Sequence, residues 1–196
     1  MKKNILFFLI IFLTLNMQAQ NKELPYYQIP DYPEDYSSGN VAARMIDGLG
    51  FRYYWSTEGL SPKDLEYKTS EDGRTIMETL WHIYGMSEMI KNAPTATPNV
   101  RPTDFPDYSY EELRKKTLEN FEAASNLMKG KQASDFEDFK VIFQRGEKQT
   151  PFPYWNMING MLSDCIYHSG QITMMRRASG NPINPKVSVF NGRLRE

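Results

Sequence analysis

Only two histidines occur in this 196-residue chain, His82 and His168. His168 follows Asp164 by four residues, inside a stretch whose apolar side chains recur at helical spacing. Projection of residues 154–175 at 100° per residue places Tyr154, Met157, Ile158, Met161, Cys165, Ile172 and Met175 on one arc. His168 falls within that arc, and Asp164 lies on its border, followed by Gln171 and Gly160. Residues four apart on a helix stack one above the other, so carboxylate and imidazole can converge on a single ion. Carboxylate oxygen and imidazole nitrogen are both ligands for first-row metals. An aspartate aimed at a methionine-lined face is costly unless a cation, a metal or several donors compensate its desolvation.

A third ligand would have to come from elsewhere, and His82 is the remaining histidine. It lies off the Ile76/Leu80/Ile83 stripe of its own helix, on a second face with Thr75, Thr79, Met86 and Met89. His82, Asp164 and His168 together would form a two-histidine, one-carboxylate set with positions left for water or substrate. The competing reading is a structural Asp–His pair in which the aspartate fixes the imidazole tautomer. Spacing alone leaves both readings open.

These residues need helices to position them, and the sequence supplies four. The first is expected from Ser38 through Val41, Met45, Leu49 and Tyr53, stopping near Gly59 and Pro62. The second begins after Ser70-Glu71-Asp72, carries Ile76, Leu80, Ile83 and Ile90, and ends by Pro94. Pro94, Pro98, Pro102 and Pro106 then make a long Pro-rich loop between helices 2 and 3 that cannot be helical. Ser109 with Glu112 forms a capping box that opens a third helix through Leu113, Leu118, Phe121 and Leu127. Phe136 to Phe143 alternates weakly and reads as a short strand or an extended loop. The fourth helix runs from Pro153 to Ala178, with Gly180 as its stop. The fold class expected is all-α, a four-helix bundle occupying 38–196.

The N-terminus reads as an address. Met1-Lys2-Lys3 precedes an apolar run from Ile5 to Leu15, too short to span a bilayer and suited to a secretory signal, with Ala19 at a cleavage position. Residues 1–19 are therefore expected to be a signal peptide. Residues 20–37, with three prolines and four tyrosines, are expected to be an extended arm. The mature protein is expected in the periplasm or outside the cell, with no stable membrane insertion after cleavage. The single cysteine, Cys165, excludes an internal disulfide and a lipid-anchored cysteine after the signal.

Composition removes other classes. The chain is 40% hydrophobic and 24% charged, which excludes a largely disordered chain. Net charge is −1, and loss of Lys2 and Lys3 with the signal lowers it further. Nucleic-acid binding is not expected, because phosphate contacts need clustered Lys and Arg. Gly48-Leu-Gly50 lacks the strand and lysine of a phosphate loop. Arg52 and Tyr54 read as candidates for a pocket mouth or, for Arg52, a surface side chain. Cys165 reads as a buried structural thiol.

The stretch Asp164-Cys-Ile-Tyr-His168-Ser-Gly-Gln171-Ile-Thr-Met-Met-Arg176-Arg177, followed by Gly180-Asn-Pro, resembles the end of the DinB-like (YfiT-like) four-helix metal-binding family. So does Thr75-Ile-Met-Glu-Thr-Leu-Trp-His82. The resemblance covers roughly Asn40 to Pro182. It implies one histidine ligand from the second helix and two ligands spaced i, i+4 on the last helix. His82 and His168 match that pattern, and Asp164 stands where many members carry the first histidine of the pair. The implied cofactor is a divalent ion, Zn, Ni, Fe or Mn. The implied function is that of a metal-dependent hydrolase or transferase acting on a small-molecule substrate; a homodimer is compatible with it. A non-catalytic bundle that binds a ligand or protein is the alternative. Gln171 and Glu78, one turn before His82, are the candidate proton-transfer groups.

Overall fold

The computed structural model describes residues 24–196, so the expected signal peptide and the start of the following segment lie outside the described residues. Helix α1 (Ser38–Thr57) is followed by a short α2 (Pro62–Leu65) and by α3 (Ile76–Asn92). A 3-10 turn, Ala93–Thr95, leads to β1 (Pro98–Val100), and α4 (Tyr110–Met128) opens the second half. Strands β2 (Lys140–Arg145) and β3 (Lys148–Pro153) precede α5 (Tyr154–Met157), a π-helical turn (Ile158–Leu162) and α6 (Ser163–Ala178), which run on as one fourth helix. A small hairpin, β4 (Val187–Ser188) with β5 (Arg193–Leu194), closes the chain.

The helices start where their chemistry dictates. Thr75 and Glu78 exchange side-chain and backbone bonds at the head of α3, and Ser109 and Glu112 do the same for α4. The four helical elements enclose one core that includes Leu49, Tyr53, Leu80, Ile83, Leu118 and Phe121. Each such side chain contributes roughly 1.5–3 kcal/mol on burial. Gly39 lets α1 approach the end of α4, since a Cβ there would lie 2.1 Å from the Met128 carbonyl oxygen.

Three expectations need correction. The chain is not all-α: β1 pairs parallel with β2 and β2 antiparallel with β3. Strand β3 hides its identity because Pro151 and Pro153 read as breakers. An edge strand tolerates proline, and every residue of β3 is exposed. Val41 and Met45 do not face the core; they are 45% and 41% exposed and line an apolar surface recess with Trp155 and Phe136. Ala42, Ala43 and Ile46 take the inner face instead. On α4 the inward residue is Met128 and not Leu127.

Residues 24–37 form no helix or strand and pack on α1. Tyr26 is buried and donates to Asp47 at 3.0 Å, and the Ile29 amide donates to the Gly192 carbonyl at 2.8 Å.

Candidate metal centre

The fourth helix changes pitch just before the residues of interest. In the π-helical turn, Ser163 Oγ donates to the Ile158 carbonyl, five residues back, at 2.7 Å. Buried positions consequently step from Met157 to Leu162, a spacing of five. They then resume helical spacing at Cys165, His168, Ile172 and Met175. A uniform 100° projection misses this extra residue, which is why Met161 was expected inside and Leu162 is found there. A Cβ at Gly160 would meet nothing within 4 Å, so that glycine makes no room for a neighbour.

Rephased in this way, α6 presents Asp164 and His168 to His82 on α3. The ligand atoms of the three side chains all lie within 4.8 Å of one another. Asp164 bridges the two imidazoles. Its Oδ2 lies 3.6 Å from His82 Nε2, and its Oδ1 lies 3.5 Å from His168 Nε2. The imidazole rings meet edge to face with centroids 4.9 Å apart. Asp164 is less buried than its position beside an apolar arc implies: its side chain is 45% exposed, against 35% for His82 and 10% for His168. The site is thus a cleft between two helices with its inner wall at His168.

His168 Nδ1 lies 2.6 Å from Gln171 Oε1. A carbonyl oxygen can only accept, so Nδ1 carries the proton, and in the neutral ring the Nε2 lone pair faces the Asp164 carboxylate. Two acceptors face one another at a distance too long for a hydrogen bond. Such a pair calls for a cation between them. Ligands about 2.0–2.1 Å from a tetrahedral zinc lie roughly 3.3–3.5 Å apart, close to both His–Asp separations. The donor set and its spacing therefore fit a divalent first-row ion. His82 is kept below the usual imidazole value, first by burial, then by the Arg74 guanidinium and His168, with Asp164 opposing. A depressed value keeps the imidazole unprotonated and available as a ligand.

The other candidates resolve differently. Glu78 accepts from the Thr75 amide at 2.7 Å, and the bonds from Thr75 lower its pKa; it is a helix cap and not a proton carrier for the cleft. Arg52 donates to the Gly48 carbonyl of its own helix at 2.9 Å. Burial, then the charge of Asp164, raises the Cys165 thiol well above its ordinary value, so it is no nucleophile. Arg74 lies in none of the sequence motifs, and Tyr167 only within the family-like stretch. They line a cavity of about 770 Å³ that shares His168 and Gln171 with the cleft.

The class of protein defined by this fold and site is a four-helix bundle with a His/Asp/His cleft between its second and last long helices. No protein-family model matches the sequence, and no curated protein matches it. Among solved structures the fold is similar to that of YfiT from Bacillus subtilis, described as a probable metal-dependent hydrolase with an unusual four-helix bundle topology. The two share 16% identity with a TM-score of 0.54, over 77% of this chain and 94% of that one. This likeness carries the fold, and the YfiT-like bundle expected from the resemblance is found.

Proposed function

We propose that the protein is a metal-dependent hydrolase in which His82, Asp164 and His168 hold one divalent ion. The observation that carries this reading is the acceptor-to-acceptor meeting of His168 Nε2 and the Asp164 carboxylate, arranged by Gln171. When bound, the ion supplies Lewis acidity, polarising a substrate carbonyl or phosphoryl group and acidifying water. The protein's own part is positioning. Gln171 keeps the His168 proton on Nδ1. The π-helical turn sets the angle at which α6 presents Asp164, and the adjoining cavity offers an apolar wall to the substrate. Hydrolysis is favoured over thiol transfer by the signal-like N-terminus, because low-molecular-weight thiols are kept reduced inside cells. The YfiT description points the same way. Export itself rests on residues 1–19. Intact-mass measurement of the secreted protein, with Gln20 or Asn21 at its N-terminus, would support it, and a full-length mass in the membrane fraction would refute it.

Metal analysis of the purified protein tests the site. About one divalent ion per chain is expected, with His82→Ala and His168→Ala each abolishing uptake. Stoichiometric metal in His82→Ala would show that the third ligand lies elsewhere and that the proposed centre is wrong.

A further inference from the structure

The cavity beside the cleft is chemically lopsided. Its wall is largely apolar, from Ile166, Met174 and Met175, and it contains one charged side chain, Arg74, and no carboxylate. Arg74 stands on the loop that leads into α3, one residue before the Thr75 cap. Its guanidinium makes no hydrogen bond or ion pair with another described residue. The Glu78 carboxylate, which feels its charge, is already held by the Thr75 amide. The same cavity is bounded by His168 and Gln171. A cation facing an apolar wall, with its donors uncommitted and a metal-type cleft adjoining the same cavity, has the layout of a subsite for an amphiphilic anion. A guanidinium presents paired donors that match a carboxylate two to two. With one positive charge and no second cation on the wall, the charge balance favours a monoanion over a phosphate dianion.

We propose that Arg74 is a specificity-determining residue that binds the carboxylate of a small organic acid. The apolar body of that acid lies along Met174 and Ile166, so that its other end reaches the His82/Asp164/His168 cleft. This deepens the hydrolase reading and rests on it for the direction in which the substrate lies. In chemical terms the substrate is an amide or ester that carries a free carboxylate at one end.

The probes are hippurate and its neutral counterpart hippuramide, which differ only in the charged group. Binding of each is measured by calorimetry to the purified full-length protein, first as isolated and then with chelator, so that the metal cannot act as the anion receptor. The parent should prefer hippurate by about tenfold in chelator, as expected when one charge-assisted pair is gained. Arg74→Met keeps the apolar stem, and it should bring hippurate down to the hippuramide level while leaving hippuramide unchanged. Arg74→Lys should recover part of the preference. Arg74 is exposed on a loop, and equal unfolding midpoints would show that the variants are folded. Unchanged hippurate binding in Arg74→Met overturns the proposal, as does a parent that fails to prefer hippurate or binds neither probe at millimolar concentration. Metal analysis separates the two readings. Charge preference without metal uptake sinks the metal centre and leaves the anion subsite. Metal uptake without charge preference sinks the subsite alone.

Discussion

Two polar clusters lie along the fourth helix, and their hydrogen bonding differs in kind. At its C-terminal end Arg176 is buried, and its guanidinium spends its donors on protein acceptors. Nη1 reaches the carbonyls of Trp55, Ser56 and Glu58 at 3.1, 3.1 and 2.9 Å, and Nε reaches the Asn181 carbonyl at 2.7 Å. The carbonyls of Trp55, Ser56 and Glu58 are among those that the end of α1 leaves without helical partners. Arg114 completes the arrangement from α4, pairing with Glu58 at 2.5 Å and lying over the Tyr54 ring. Two turns earlier, His168 and Asp164 meet as acceptor against acceptor. The first cluster is complete within the protein; in the second, the Nε2 lone pair of a neutral His168 faces a carboxylate, and the proposed ion would lie between them. The presence of a buried polar side chain alone would not tell them apart, since His168 is buried as Arg176 is. The matching of donors to acceptors does.

The sharpest way to break this comparison is to remove the clamp. Arg176→Met strands several carbonyls at the end of α1 and should cost about 3–5 kcal/mol in urea unfolding, with or without metal. A loss below about 1 kcal/mol would mean that water satisfies those carbonyls and that the cluster is not closed.

The closed cluster should also set acid stability. Asp64 is 2% exposed and accepts from Ser61, Asn181 and Ser179. Burial raises its pKa, but the bonds from Ser179, Asn181 and Ser61 outweigh it and hold the carboxyl well below its ordinary 3.8. Because the folded value is depressed, the unfolded chain takes up the proton first. The stabilisation is therefore complete above about pH 4 and drains away as pH falls from 3.8 toward the folded value. Asp64→Asn should lose up to about 3 kcal/mol at neutral pH and flatten that acid slope. An unchanged slope would assign acid sensitivity to other carboxylates.

In the open cluster the sign of a substitution should depend on metal. Asp164→Leu removes a half-exposed carboxylate that faces a lone pair, so in chelator it should be neutral or slightly stabilising. With metal at a hundredfold excess over Kd, the parent gains roughly 2.7 kcal/mol and the variant far less. The two stability orders should cross. An equal loss in both conditions would make the Asp–His pair structural, and the two clusters would then be alike.

The contrast explains what could be read in the sequence. His82, Asp164 and His168 were legible because histidine is scarce and an i, i+4 pair survives any small change of phase. The helices were legible from their caps and prolines. The π-helical turn was not: Asn159 and Gly160 are weak helix formers but specify no change of pitch, and the turn moved the inward position from Met161 to Leu162. Strand β3 was hidden by its prolines. Arg176 was visible as part of a family-like stretch, but its work on the end of α1 depends on contacts about 120 residues away. Arg74 sits in a loop and acquires meaning only when the cavity wall around it is assembled.

The smallest expected effect falls on the residue that connects the open cluster to the protein's own hydrogen bonds. Gln171 is half-buried and accepts from His168 Nδ1 at 2.6 Å, so it decides which imidazole nitrogen faces the cleft. Gln171→Leu removes the acceptor, and the ring becomes free to carry its proton on Nε2, where it can donate to Asp164. That internal bond would close the cluster in the manner of the arginine clamp. A metal would then have to displace that Nε2 proton. Affinity should fall by about tenfold to a hundredfold, and unfolding in chelator should stay within about 0.5 kcal/mol of the parent. Gln171→Glu keeps an acceptor at the same position and should retain the affinity. Competition titration with a chromogenic chelator gives both values. Parent-like affinity in Gln171→Leu would show that the tautomer is set by the ion itself, and the openness of the cluster would then owe nothing to Gln171.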